Sequence, residues 1–430
     1  MIDAATATHA AEALVSRDRL IELCSAMVDV ASPTGQEGPL ARILADQMRA
    51  HGLNGQVQQL AAGTSDMANA YGRIKGSGIG KSLLLYAPLD TVTVGDADSD
   101  LPWAGPELRP DMQPIATVRD GLVIGLGAHN PKGHGACVLA AAEAIVGAGL
   151  TLERDLVVGL GAGGMPTNRR RADLADGHGI GCAALVDLVQ PTEAVIAKTG
   201  WAVSWEEVGL TWFTVEVHGT HTYVGSRHLL PYRNAINDAA HILQGLERWF
   251  EMWAEQHRDG LVAPQGVVAA IEGGWPQMPS FTTALCRFHV DLRLNPHTTP
   301  NQAARAFGTE VQRLADEIGA TVNWNQTLSI PGTSTSPSDP IITTAIRCWE
   351  SLEGRTHQPI AGLSGATDAN ILRGKGVPTA RIGLPKVNPD RLDADFQLGM
   401  NAVDVNDMER LTRLLIRIAV TRCCPQAGAL

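Results

Sequence analysis

Ser82-Leu83-Leu84-Leu85-Tyr86-Ala87-Pro88-Leu89-Asp90-Thr91-Val92 is the stretch that decides the fold. It opens on an unbroken apolar run and ends in a loop that carries a carboxylate. A short continuous apolar run predicts a strand covered on both faces. Similar runs stand at 122–126, Asp155–Gly161 and 194–197. Residues 9–28 and 37–52 have helical spacing, and 136–148 reads as a buried, Ala-rich helix. Between the first two helices lies Ala31-Ser32-Pro33-Thr34-Gly35-Gln36-Glu37, where Pro and Gly turn the chain and Ser and Thr are placed to cap the second helix. Strands alternating with helices predict an α/β domain, a mostly parallel sheet between two helical layers.

The pattern then changes. Residues 211–218 alternate, 234–250 are helical, and 267–271 and 283–294 read as antiparallel strands with one wet face. A helix over 301–318 and a strand over 321–324 follow. That strand-helix-strand-strand-helix-strand order predicts a two-layer α+β domain inserted into the larger one. From about residue 340 the α/β character returns, with a strand over 377–382 and a closing helix over 404–420. The boundaries expected are 1–207 and 326–430 for the two parts of the α/β domain and 208–325 for the insert.

Composition narrows the function classes. The 430 residues hold 34 basic and 45 acidic side chains, a net charge of −11, which disfavours nucleic acid as a partner because such a binder needs a basic footprint. No apolar run approaches the roughly 18 residues that span a bilayer. The first twenty residues carry Asp3, Glu12 and Asp18 instead of a basic start and an apolar block. A cytoplasmic protein with no membrane partner is the expectation. The seven cysteines (24, 137, 182, 286, 348, 423 and 424) form no C-x-x-C pattern and read as small apolar residues or free thiols.

Ligands of open α/β sheets bind outside the carboxyl ends of the strands, so the loops there hold the candidate site. They are Ala87-Pro88-Leu89-Asp90-Thr91-Val92, Gly125-Leu126-Gly127-Ala128-His129-Asn130-Pro131-Lys132-Gly133 and Gly161-Ala162-Gly163-Gly164-Met165-Pro166. With Asp291-Leu292-Arg293 and Gly365-Ala366-Thr367-Asp368-Ala369, in this order and at these spacings, the chain resembles the zinc peptidase and deacylase family of glutamate carboxypeptidase, acetylornithine deacetylase and succinyl-diaminopimelate desuccinylase. The loops look like that family's G-H-x-D-T-V and G-R-G-A-x-D-x-K-G, the later motifs like its D-x-R and G-T-D-A. The resemblance implies a zinc-aminopeptidase-like three-layer α/β/α catalytic domain with an inserted α+β lid, often a homodimerisation domain.

Departures from the family pattern fall on its metal ligands. The family holds two zinc ions with a His, a bridging Asp, a Glu beside a catalytic Glu, a further acidic residue and a late His. In this sequence those positions are Pro88, Asn130, Gly163-Gly164, Lys198 and the neighbourhood of Phe396-Gln397. Proline and glycine offer no donor, Asn a weak neutral one, and Lys a like charge. No resident metal is therefore expected, with a single relocated divalent ion as the alternative.

The fixed charges left are Asp90, Lys132 and Lys198. An ammonium at Lys198 can do part of a missing metal's work by polarising a carbonyl, with Asn130 beside it. Asp90 would orient or act as base, and His129 and His134 are the nearest proton-transfer candidates. Gly163, Gly164, Lys132 and Asp368 complete the expected substrate contacts. The insert adds His221, Arg227, His228 and Asn234, a set suited to a small, carboxylate-bearing molecule because Arg offers a bidentate fork; Tyr223 stands where the family's lid His would fall. Asn234 reads equally well as a helix cap. Arg169-Arg170-Arg171 is a second basic candidate, or a solvated face. The expected activity is hydrolase-like, on an amide or other C–N bond. The alternatives are a non-catalytic small-molecule-binding relative and a metal-free lyase or isomerase using Lys198.

Overall fold

The computed structural model describes residues 4–60, 66–78, 81–166, 179–388 and 400–424. They form two compact units, one of residues 1–205, 335–360 and 367–430, the other of 206–334 and 361–366.

The first unit is built on six strands: β1 (Gln56–Gln59), β2 (Ala68–Ile74), β3 (Ser82–Pro88), β4 (Asp155–Gly161), β5 (Glu193–Ala197) and β6 (Thr379–Ile382). Their order is β1-β2-β4-β3-β5-β6. β3, β4, β5 and β6 run parallel, while β2 is antiparallel to β4 and to β1. Every residue of β3 and β4 is buried. The reason is the period of two: Leu83, Leu85 and Ala87 pack with helices His134–Gly147 and Val405–Cys423, while Leu84 and Tyr86 pack with helices Ile180–Val189 and Ala369–Gly374. This is the three-layer α/β/α arrangement.

Two local readings differ from the sequence expectation. Residues Leu122–Ile124 do not join the main sheet; they form a three-stranded antiparallel sheet with Thr117–Arg119 and Ala402–Asp404. The apolar run is too short to tell the two apart, since β-pairing depends on distant partners. Ser32 and Thr34 do not cap helix Gly38–Ala50. Glu37 holds the cap position without a side-chain cap bond, and the two hydroxyls turn to the end of β3: Ser32 Oγ donates to the Leu89 carbonyl at 2.9 Å and Thr34 Oγ1 to Asp90 Oδ2 at 2.8 Å.

The second unit is a four-stranded antiparallel sheet in the order Gly266–Gly273, Leu285–Leu294, Gly209–His218, Thr321–Ile330. Helices Ala235–His257 and Pro300–Ile318 cover one face. Leu285–Leu294 alternates between half-buried and buried residues along its whole length, and Phe213 stacks on Phe307 with ring centroids 4.2 Å apart. Helix Pro300–Ile318 begins on a capping box between Thr299 and Gln302 and ends on Gly319 in the left-handed region, φ +64°. The D-x-R of this unit is a side-chain fork: Arg293 donates two hydrogen bonds to Asp291, at 2.8 and 2.7 Å.

All seven cysteines are buried and free. Among the described residues no helix is long and apolar enough to cross a membrane.

Candidate active site

The parallel register puts the carboxyl ends of β3, β4 and β5 side by side, since Pro88 pairs with Gly161 and Tyr86 with Ile196. Asp90, Gly163-Gly164 and Lys198 therefore leave the sheet at one edge, where candidate ligand-binding loops belong.

Asp90 is fully buried. Its Oδ1 accepts from the Gly164 amide at 3.0 Å, and its Oδ2 accepts from the Met165 amide and from Thr34 Oγ1, both at 2.8 Å. Both oxygens are thus engaged, so the side chain expected as a base acts in this geometry as a clamp on the loop after β4. A second carboxyl completes the clamp. Glu37, also fully buried, accepts at Oε1 from the Gly35 and Gly163 amides at 3.0 and 2.9 Å. Three successive amides, 163 to 165, are held by two acids, which leaves Gly163 and Gly164 no amide to offer a ligand. Burial first, then the charge of Asp90, pushes the Glu37 carboxyl up to about 8. Its Oε2 has no partner. Sequence reading missed Glu37; the available signal was an acid set between a Pro-Gly turn and a helix.

Asp368 Oδ2 accepts from the Tyr86 hydroxyl at 2.6 Å, so it anchors the buried tyrosine of β3. A Cβ on Gly164 would lie 2.9 Å from Asp90 Oδ1, 3.0 Å from the Pro88 Cβ and 3.2 Å from Asp368 Oδ2. Gly164 is therefore where these groups converge, and no acidic side chain fits there.

The second loop is tied inward. His134 Nδ1 donates to the His129 carbonyl at 2.8 Å, and its Nε2 accepts from the Leu384 amide at 3.0 Å. His129 Nε2 lies 3.0 Å from the Pro385 carbonyl and 3.3 Å from that of Leu384. A ring that must donate to a carbonyl while buried stays neutral. Burial lowers His129 to about 4 and His134 well below its ordinary value; the nearby Lys198 charge contributes to both. Lys132 is fully buried and donates to the Val30 carbonyl at 3.0 Å, with burial lowering it to about 8. These three side chains brace the loop instead of facing a ligand. Asn130 differs: it is half-buried, its side-chain oxygen has no partner, and it lines a cavity of about 370 Å³.

That cavity lies in the first unit, with Trp103, Met112, Leu126, Met165 and Met400 among its walls. Leu126 and Met165 belong to the candidate loops, but Trp103, Met112 and Met400 were not singled out from the sequence, because lone methionines and a tryptophan on a short helix have no motif of their own. Lys198 is half-buried, one residue beyond β5.

In the second unit, His221 Nδ1 meets the Thr282 carbonyl at 3.0 Å and its ring stacks on Phe281. The Arg227 guanidinium sits over the Tyr232 ring, 5.0 Å from its centroid, and His228 is exposed. Asn234 Oδ1 caps helix Ala235–His257 by accepting from the Ile236 amide at 3.0 Å, the capping alternative of the sequence reading. Arg169-Arg170-Arg171 and the Phe396-Gln397 neighbourhood lie outside the described residues.

No protein-family model matches the chain. Solved structures do. The di-peptidase Dug1p of Saccharomyces cerevisiae superposes with a TM-score of 0.70 at 9% identity, over 97% of this chain and 98% of that one. The M20 family metallo-carboxypeptidase Sso-CP2 of Sulfolobus solfataricus gives 0.66 at 13%, over 93% and 97%. This chain has the M20 peptidase fold. A hydantoinase/carbamoylase family amidase from Burkholderia ambifaria shares it, at 0.61 and 17% identity over 96% and 99%.

The fold raises the question of a metal pair, and the described residues do not fit one. Among the described residues no group of three His, Cys, Asp or Glu is arranged to hold an ion. The resemblance puts the zinc family's ligand positions at Pro88, Asn130, Gly163-Gly164 and Lys198, residue types that do not suit the ion. The acids nearby already accept from backbone amides or Tyr86, and Gly164 has no room for a restored carboxylate.

Proposed function

We propose that this chain is a hydrolase-like enzyme that adds water across an amide or related C–N bond of a small molecule, giving a carboxylic acid and an amine, without a pair of zinc ions. The observation that carries the reading is a ligand-sized cavity lined by Asn130, whose buried side-chain oxygen has no partner, in an M20-type fold that also sets Lys198 at the carboxyl end of a strand beside β3. An ammonium near a scissile carbonyl stabilises the oxygen charge that develops as water attacks, which is the largest single contribution in acyl transfer. Asn130 would hold the substrate's N–H. Asp90 and Glu37 shape the floor through the 163–165 amides.

The test is a panel of small amides offered to chelator-treated protein, alongside Lys198→Ala. Hydrolysis in the treated wild type, reduced at least a hundredfold in the folded variant, is the expected result. Equal rates in both would remove Lys198 from the reaction. A second reading, a non-catalytic small-molecule binder, draws on the way Asp90, His129, Lys132 and His134 spend their polar atoms inside the protein. Tight binding without turnover across the panel would select it.

A further inference from the structure

The cavity in the first unit also carries information about what it binds. Its volume of about 370 Å³ is near the lower end of the range for small-molecule sites, room for a ring and a short polar chain. One indole and three methionine side chains dominate the wall: Trp103, Met112, Met165 and Met400. Thioethers are polarisable and adapt to the shape of an apolar guest, and they pack well against aromatic rings.

The charges on this wall are already matched to each other. Arg109 forks onto Asp111, Nε to Oδ1 at 2.9 Å and an outer nitrogen to Oδ2 at 3.1 Å. Asn401 donates to the same Asp111 Oδ2 at 3.0 Å and accepts from the Gly127 amide at 3.0 Å. A carboxylate entering here would have to compete with Asp111, which is itself buried, for the one guanidinium that the described residues put on the wall. Stripping a carboxylate of water without a new partner is costly, and a neutral amide avoids that cost. Asn130 on this wall keeps a buried side-chain oxygen without a partner, and what satisfies an acceptor is an N–H donor.

We propose that this cavity receives the uncharged, apolar part of the substrate, and that the substrate class is a neutral primary or secondary amide bearing an aromatic or branched aliphatic group, its N–H directed to Asn130. This rests on the hydrolase reading for the word substrate, but not for the binding itself. It differs from the carboxylate-bearing molecule expected from the sequence, because the Arg109–Asp111 pairing cannot be read from residue types.

The experiment is a binding titration that does not depend on turnover. Protein labelled at the methionine methyl groups is titrated with phenylacetamide and, separately, with phenylacetate, a probe of the same size with a charge in place of the amide. The expected result is that phenylacetamide shifts the methyl signals of Met112, Met165 and Met400, and that phenylacetate binds at least about tenfold more weakly. Trp103→Ala, at an exposed position of a short helix, should weaken phenylacetamide by about tenfold at unchanged thermal stability. Phenylacetate binding as tightly as the amide, shifts confined to other methionines, or no amide binding would each overturn the proposal. Amide binding without hydrolysis would remove the hydrolase reading and leave the ligand class standing. Hydrolysis of carboxylate-bearing amides, with phenylacetamide unbound, would do the reverse.

Discussion

Glu37→Gln is the perturbation that most cleanly probes the acid clamp under the site. The glutamine keeps an oxygen for the Gly35 and Gly163 amides and carries no proton to lose. In the wild type the carboxyl's value rises from 4.5 to about 8 through burial and the Asp90 charge. Between those two values the folded chain retains a proton that the unfolded chain has released, so this residue makes stability fall as pH rises through the window. The span is about 3.5 pH units, an upper bound of about 5 kcal/mol at about 1.4 kcal/mol per unit. The variant has no such dependence. Its new amide hydrogens lack a partner where Oε2 lies, a cost of about 1–3 kcal/mol that does not change with pH. Urea unfolding, measured for both proteins from about pH 5 to about pH 9, isolates the effect as a difference in which the titrations of groups remote from Glu37 cancel. The variant should gain at least about 2 kcal/mol on the wild type between the two ends. Parallel curves would show that Glu37 ionises normally and that the clamp is not as close as described.

Other substitutions test neighbouring parts of the account. Gly164→Ala forces a Cβ against Asp90, Pro88 and Asp368 and should cost about 1–3 kcal/mol, seen as a lower Tm. His134→Leu strands the Leu384 amide and the His129 carbonyl; a loss of about 2–4 kcal/mol is expected in denaturant unfolding. Once Glu37→Gln has removed the opposing slope, His129 should show through. Its value falls from 6.5 to about 4 on folding, so its contribution to stability is complete above about pH 6.5 and is lost as pH falls toward 4, about 3 kcal/mol in all. Strand Gly266–Gly273 is one of the two edges of its sheet, with Val267 and Ile271 exposed. A homodimer through that edge would sediment at twice the chain mass, and Ile271→Lys should shift it to monomer.

Much of the fold was legible because it depends on local pattern. After Ser82 and Asp155 the runs to Tyr86 and Gly161 are unbroken by a charge, as a doubly covered strand requires, and the alternation in Leu285–Leu294 marks a sheet with one wet face. Strands β1 and β2 were not read, since Gln56–Gln59 and Ala68–Ile74 carry no continuous apolar run and owe their state to pairing, β1 with β2 and β2 with β4. The site was legible as a place but not as a set of roles. Asp90 and Lys198 follow the carboxyl ends of neighbouring parallel strands, and Asn130 lines the cavity with Thr91. Which polar atoms remain available there depends on partners far along the chain: Thr34 and Met165 for Asp90, Leu384 for His134, Val30 for Lys132. Residue type announces a capacity to donate or accept, and only the fold shows where it has been used.

The most direct test of the central claim is to measure bound zinc and amide hydrolysis on one sample, before and after exhaustive chelation. A site without a zinc pair gives far less than one zinc per chain and a hydrolysis rate that chelation leaves unchanged. Two zinc ions per chain, with a rate that chelation abolishes and added zinc restores, would contradict it.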